Sequence, residues 1–142
     1  MLKKVLVGVD FSAASRLALA RAHAWAERMQ VPLVAVHVLQ PPAPMLPEAQ
    51  IALPDPGWLK ELEDHAKAQL EGWLEGMAQA SAYVLWGSPA EELVKEADAD
   101  TLLVIAQRGH SALERLLFGS TAAKVVKHAP CDVLVVRAEA GK

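Results

Sequence analysis

The sequence has no asparagine and a single cysteine, Cys131. One cysteine excludes an internal disulfide. Its place in "APCDVLVV", at the head of an apolar run, reads as a buried structural thiol. The missing asparagine fits a thermophile's avoidance of labile amides and equally a skewed base composition. No apolar run reaches the roughly 18 residues of a membrane span. The opening "MLKKVLVGVD" meets Asp10 too soon for a secretory signal, so a cytoplasmic protein is expected. Five histidines, at positions 23, 37, 65, 110 and 128, show no metal-ligand spacing. There is no Gly-x-Ser-x-Gly elbow, no Walker lysine loop and no Cys/His pair suited to nucleophilic attack. A net charge of −3 and a pI near 5.9 argue against a nucleic-acid or membrane-surface partner.

The remaining composition suits one globular domain. Of 142 residues, 53% are apolar and 22% charged, enough for a core and ordinary for a soluble chain. Five apolar runs recur, at 5–9, 31–39, 82–86, 101–106 and 132–136. Most are continuous rather than alternating, as in parallel strands covered on both faces. Helical patterns fill the gaps. Ser12 can cap the first, with Leu17, Ala18, Ala22, Trp25 and Met29 as its apolar face. The second follows "DPGW", with Leu59, Leu62, Ala66, Leu70, Trp73 and Met77 stepping by three or four. The third opens at "SPAEELVKEA", where Ser88 and Glu91 suggest a capping box around Pro89. The fourth is "STAAKVVKHA", ended by Pro130. Of the four tryptophans, Trp25, Trp73 and Trp86 read as core and Trp58 as exposed. The order βαβαβαβαβ means an α/β domain with right-handed crossovers, spanning 1–142. Residues 40–57 read as a proline-rich surface loop beside the site. Residues 138–142 read as a frayed tail.

In such a sheet, ligands sit beyond the carboxyl ends of the strands, where strand order reverses. Three stretches fall on that edge: "VDFS", "HVLQ" and "AQRGHSALERLLFGSTAAK". In the last, Gly109 and Gly119 permit close approach of a ligand. The helix after Gly119 offers free N–H groups to an anion. Ser120 and Thr121 add hydroxyls, and Arg108, His110 and Arg115 add positive charge. The plainer alternative is that Gly119 ends one helix and Ser120 caps the next. Asp10 could bind ribose hydroxyls or a metal, or help cap the first helix; position alone favours the cap slightly. Val36 to Leu39 could present main-chain groups to a flat base or be plain core strand.

"KKVLVGVDFSAASRLALARA", "VHVL" and "GHSALERLLFGSTAAKVVKHAPCDVLVVR" together resemble the universal stress proteins over nearly the whole chain. The nucleotide-binding branch carries Gly-x2-Gly-x9-Gly-Ser/Thr. Gly109, Gly119 and Ser120 fit it, and Ala106 stands at the first glycine position. The resemblance implies a Rossmann-like domain of the adenine nucleotide alpha hydrolase type. Its five-stranded parallel sheet has the order 3-2-1-4-5 and helices on both faces. It implies ATP across the ends of strands one and four. Val9 and Asp10 would border the adenosine and ribose, and Val38 would offer main-chain contacts to the adenine. Ala106, Gly109, Gly119, Ser120 and Thr121 would cradle the phosphates, with Arg108, His110 and Ser111 in the loop between. A divalent cation, Mg2+ or Mn2+, would bridge the phosphates. It also implies a homodimer through the last strand, Asp132 to Val136, and a stress-response role with slow or no ATP hydrolysis. The alternative is a dimeric interaction module of the same fold that binds no nucleotide, which Ala106 favours. A transferase using ATP is disfavoured by the lack of a catalytic lysine or histidine motif.

Overall fold

The computed structural model describes residues 1–41, 56–107 and 120–137. In chain order these form β1 (Lys4–Gly8), α1 (Ala13–Met29), β2 (Leu33–Leu39), α2 (Pro56–Trp73), β3 (Ala80–Trp86), α3 (Pro89–Glu96), β4 (Thr101–Gln107), α4 (Ser120–His128) and β5 (Asp132–Arg137). The five strands make one parallel sheet in the order β3-β2-β1-β4-β5. The continuous apolar runs are continuous because both faces of the sheet are covered. Val5, Val7, Leu33, Ala35 and Val104 pack under α1 and α2, together with Leu70 and Leu74. Leu6, Val36, Leu103 and Ile105 point to the other face, under Ala90 and Leu93 of α3 and Ala122 and Val125 of α4.

The second helix follows its expected period, with Ala66 and Leu70 buried. It begins earlier than "DPGW" suggests, at Pro56, because proline's fixed φ and missing N–H suit the first helical position. The rest of the proline-rich stretch, 42–55, and the tail 138–142 lie outside the described residues.

Three local expectations are corrected. The buried face of α1 is Ser15, Ala18, Leu19, Ala22 and Ala26, not the stripe through Trp25 and Met29. Small side chains let this helix lie close on the sheet. Trp25 and Met29 are 43% and 48% exposed. With Met1, Leu102 and Leu134 they line a groove of about 400 Å³ at the amino edge of the sheet. At α3, Ser88 is the N-cap residue, but its side chain makes no capping hydrogen bond, so the capping box does not form. Its carbonyl instead accepts from Glu92 N–H at 2.9 Å. Cys131 is half-buried rather than buried, packed at the margin of the α3/α4 layer. Desolvation there pushes its thiol pKa up.

Gly8 is required by a close approach. A Cβ placed on it would lie 2.8 Å from Leu93 Cδ1, and Leu93 is itself buried. The absence of a side chain at the end of β1 therefore lets α3 sit directly on the sheet.

The turn into β4 is held by Asp98. Its Oδ1 accepts from Asp100 N–H at 2.9 Å and from the buried Thr101 hydroxyl at 3.0 Å. The Asp100 amide, and next the Thr101 hydroxyl, hold the Asp98 carboxyl below its ordinary value of 3.8. A carboxylate lowered by folding stabilises the native state above its unfolded pKa and loses that contribution as pH falls. Wild type should therefore exceed Asp98→Asn in urea midpoint at pH 6. The gap should close as the pH is taken below 3.8. A gap that stays constant down to acid pH would remove this role for the charge.

Candidate functional site

The strand order reverses between β1 and β4: from β1 the chain moves on to β2, while β4 lies on its other side. Crevices at such switch points, outside the carboxyl ends of the strands, are where open α/β sheets bind ligands. The ladders place the expected residues there. β1 pairs with β2 up to Gly8–Val36 and with β4 up to Val7–Val104. Val9, Asp10, Val38 and Ala106 all lie just beyond those last pairs. Val38 is paired with Leu85 of β3, and Ala106 with Val136 of β5. Because α4 leads into the amino end of β5, its own first residues, Ser120 and Thr121, lie at the same carboxyl edge. Arg108, Gly109, His110, Ser111, Arg115 and Gly119 are outside the described residues.

Helix polarity favours negative charge at this edge. Neither α1 nor α4 has an acidic residue in its first turn, so their positive dipole ends are not offset from within the helix. α3 differs, with Glu91 and Glu92 in its first turn.

Asp10 works in the cap, but indirectly. Its Oδ1 accepts from Ser12 N–H at 3.0 Å and from the Ser12 hydroxyl. Ser12 Oγ in turn accepts from Ser15 N–H at 3.1 Å as the N-cap of α1. The buried Ser15 hydroxyl lies 3.3 Å from Asp10 N, as its acceptor, and donates to Ser12 O at 3.1 Å. An exposed carboxylate is thereby fixed in direction at the switch point. Val9 lies one residue beyond the β1 ladder. Its side chain is buried in the α1/α2 layer, its N–H donates to Val36 O at 2.8 Å, and its carbonyl accepts from His37 Nδ1–H at 2.7 Å.

His37 is the residue that sequence reasoning passed over. It stands beside Phe11, ring centroids 4.5 Å apart, and Phe11 meets Trp73 edge-on at 5.2 Å. A histidine inside the otherwise apolar "VAVHVL" was the one available signal. Among the described residues, no three His, Cys, Asp or Glu side chains are grouped to hold a metal ion. No described helix is long and apolar enough to cross a membrane.

The model of the universal stress protein family matches residues 1–137. The chain belongs to that family. Similar solved structures include the universal stress protein UspA of Lactobacillus plantarum, 29% identical, with TM-score 0.72 over 95% of this chain and 97% of that one. A universal stress protein in complex with cAMP is 26% identical, with TM-score 0.62 over 96% and 97%. The Archaeoglobus fulgidus universal stress protein in complex with dAMP is 23% identical, with TM-score 0.57 over 94% and 96%. At that last identity the likeness is one of fold. A search of the curated proteins finds no match. The strand order of this universal stress protein is the 3-2-1-4-5 that its sequence motifs imply.

Proposed function

We propose that this protein is a cytoplasmic ATP-binding member of the family, with slow or no ATP hydrolysis. The observation that carries the reading is the switch point between β1 and β4, onto which two helices open without acidic first-turn residues. The neighbour in complex with cAMP supports an adenine nucleotide as the ligand class. In this reading Val9 and Asp10 border the adenosine and ribose. Val38, beyond the end of the β1 ladder, offers main-chain groups to the adenine. Ala106, Gly109, Gly119, Ser120 and Thr121 surround the phosphates, with Arg108, His110 and Ser111 in the loop between. Mg2+ or Mn2+ would bridge phosphate oxygens, with the phosphates supplying much of the ligand set.

Ala106 fits this reading. It lies in β4 and is not among the described non-glycine residues with positive φ, which are Phe11, Gln30 and Gln79. Its methyl therefore adds no backbone strain at the motif's first position. We further propose a homodimer through β5, an edge strand. Antiparallel self-pairing centred between Leu134 and Val135 would set Asp132 across from Arg137 of the second copy, and an apolar edge needs such cover.

Isothermal titration with ATP tests the nucleotide reading. At tenfold excess over Kd, binding should add about 1.4 kcal/mol of unfolding free energy by linkage. Gly119→Val should remove the heat and leave the dimer. A wild-type protein that gives neither heat nor stabilisation at millimolar ATP is the interaction module instead.

A further inference from the structure

Phe11 has φ 64°. For a bulky side chain this is a rare backbone state, and it persists only where the surroundings over-determine it. Here three elements converge on it. From β2, His37 donates through Nδ1 to the Val9 carbonyl at 2.7 Å. A carbonyl can only accept, so the proton sits on Nδ1, and the bond continues the β1–β2 connection one step past the last ladder pair. The His37 ring then lies against Phe11, with planes 41° apart. From α2, Trp73 meets Phe11 in an edge-on contact at 89°. From α1, the Arg16 guanidinium sits 4.6 Å from the Trp73 ring centre, while Arg16 N–H donates to Ser12 O at 3.0 Å. The circuit closes on the turn itself, where Asp10 is tied to Ser12 and Ser15.

We propose that the His37–Phe11–Trp73 stack is a positioning device that locks the Val9–Ser12 turn and so sets how tightly the carboxyl edge holds its nucleotide. The inference rests on the ATP reading above. It assigns no ligand contact to the rings; they act through Asp10 and the Val9 backbone. Rings from a strand and a helix, held across the first turn of α1, add tertiary packing to the local Ser12 bonds that direct the Asp10 carboxylate. Preorganisation of this kind raises affinity because less ordering remains for binding to impose.

His37→Leu keeps an apolar side chain of similar reach and removes the donor. His37→Asn loses the ring but can keep an N–H where Nδ1 stands. Phe11→Ala removes the ring and leaves the backbone state unsupported. ATP affinity is read by calorimetry. Amide hydrogen exchange at Ser12 and Ser15 is read without nucleotide, with Val7 and Val104 as reporters of the sheet. His37→Leu should weaken ATP by about tenfold, toward the upper end for one hydrogen bond, and Phe11→Ala by a similar factor, since the turn loses the ring that His37 and Trp73 pack against. They should speed exchange at Ser12 and Ser15 and spare Val7 and Val104. His37→Asn should regain most of the affinity. Unchanged affinity overturns the proposal. So does a loss that goes with faster exchange at Val7 and Val104, or an Asn variant no better than the Leu one. A wild type that gives no heat with ATP rejects the function proposed above. The exchange arm then decides the lock alone: slow Ser12 exchange in all variants would overturn it, and fast exchange would uphold it.

Discussion

Leu103→Ala should lower the unfolding free energy by about 2–5 kcal/mol, the range for emptying a fully enclosed leucine site. Leu103 has no exposed surface. It sits mid-strand in β4, directly paired with the equally buried Leu6 of β1. Its layer is roofed by α3 and α4 through Leu93 and Val125. Neighbours fixed by ladder hydrogen bonds on both sides cannot collapse into the space, which puts the cost toward the upper end. Half-buried Leu102 faces the other layer, and its truncation should cost clearly less. Urea unfolding at unchanged m-value measures both. A Leu103→Ala loss under about 1.5 kcal/mol, below the usual range for such a site, would mean that the two faces do not pack as separate close-fitting layers.

Gly87→Ala should cost about 3 kcal/mol, because strain and collision each contribute about 1–3 kcal/mol. Gly87 has φ +144°, and a Cβ there would stand 2.9 Å from Glu92 Cγ and 2.7 Å from its Oε1. The residue cannot turn aside cheaply, since its N–H donates to Leu39 O at 2.9 Å. That bond ties the exit of β3 to the end of β2. The two costs separate in a double-mutant cycle with Glu92→Ala. Once Glu92 has been truncated the collision is gone and the backbone cost remains, so Gly87→Ala should then cost about half as much. An equal cost in both backgrounds would assign the whole effect to φ. A cost below about 0.5 kcal/mol, within the range of an ordinary surface substitution, would show that the turn relaxes freely.

The sequence was most informative where one residue's environment is set by its own element. The apolar runs found all five strands because the inner strands, covered on both faces, have no polar face to blur the pattern, and edge strand β3 keeps an apolar run although Tyr83 is exposed. The α2 stripe was legible because leucines alternate with charged residues. The α1 stripe was not, because in "AASRLALARAHAWAERM" alanine occurs on every side and the period is degenerate. Its large residues draw the eye to the wrong face, although the alanines are what the sheet buries. The order of strands came from the family resemblance, since nothing in spacing fixes it. At the site, Asp10, Val38 and Ala106 could be placed from strand ends alone. The contact of Phe11 with His37 and Trp73 could not, because it joins three elements that meet only after the sheet and its first helical layer have formed.

The pairing of β1 with β4 has a kinetic side. Lys4 lies against Thr101, and Val5 lies against Leu33. Closing a loop of roughly a hundred residues rather than roughly thirty costs about 1 kcal/mol more in chain entropy. The inner seam of the sheet thus joins its most distant pair of neighbouring strands, and its closure carries a larger entropic cost than that of the amino-terminal βαβ unit. Contacts across that seam therefore report that residues as far apart in the chain as Lys4 and Thr101 have met.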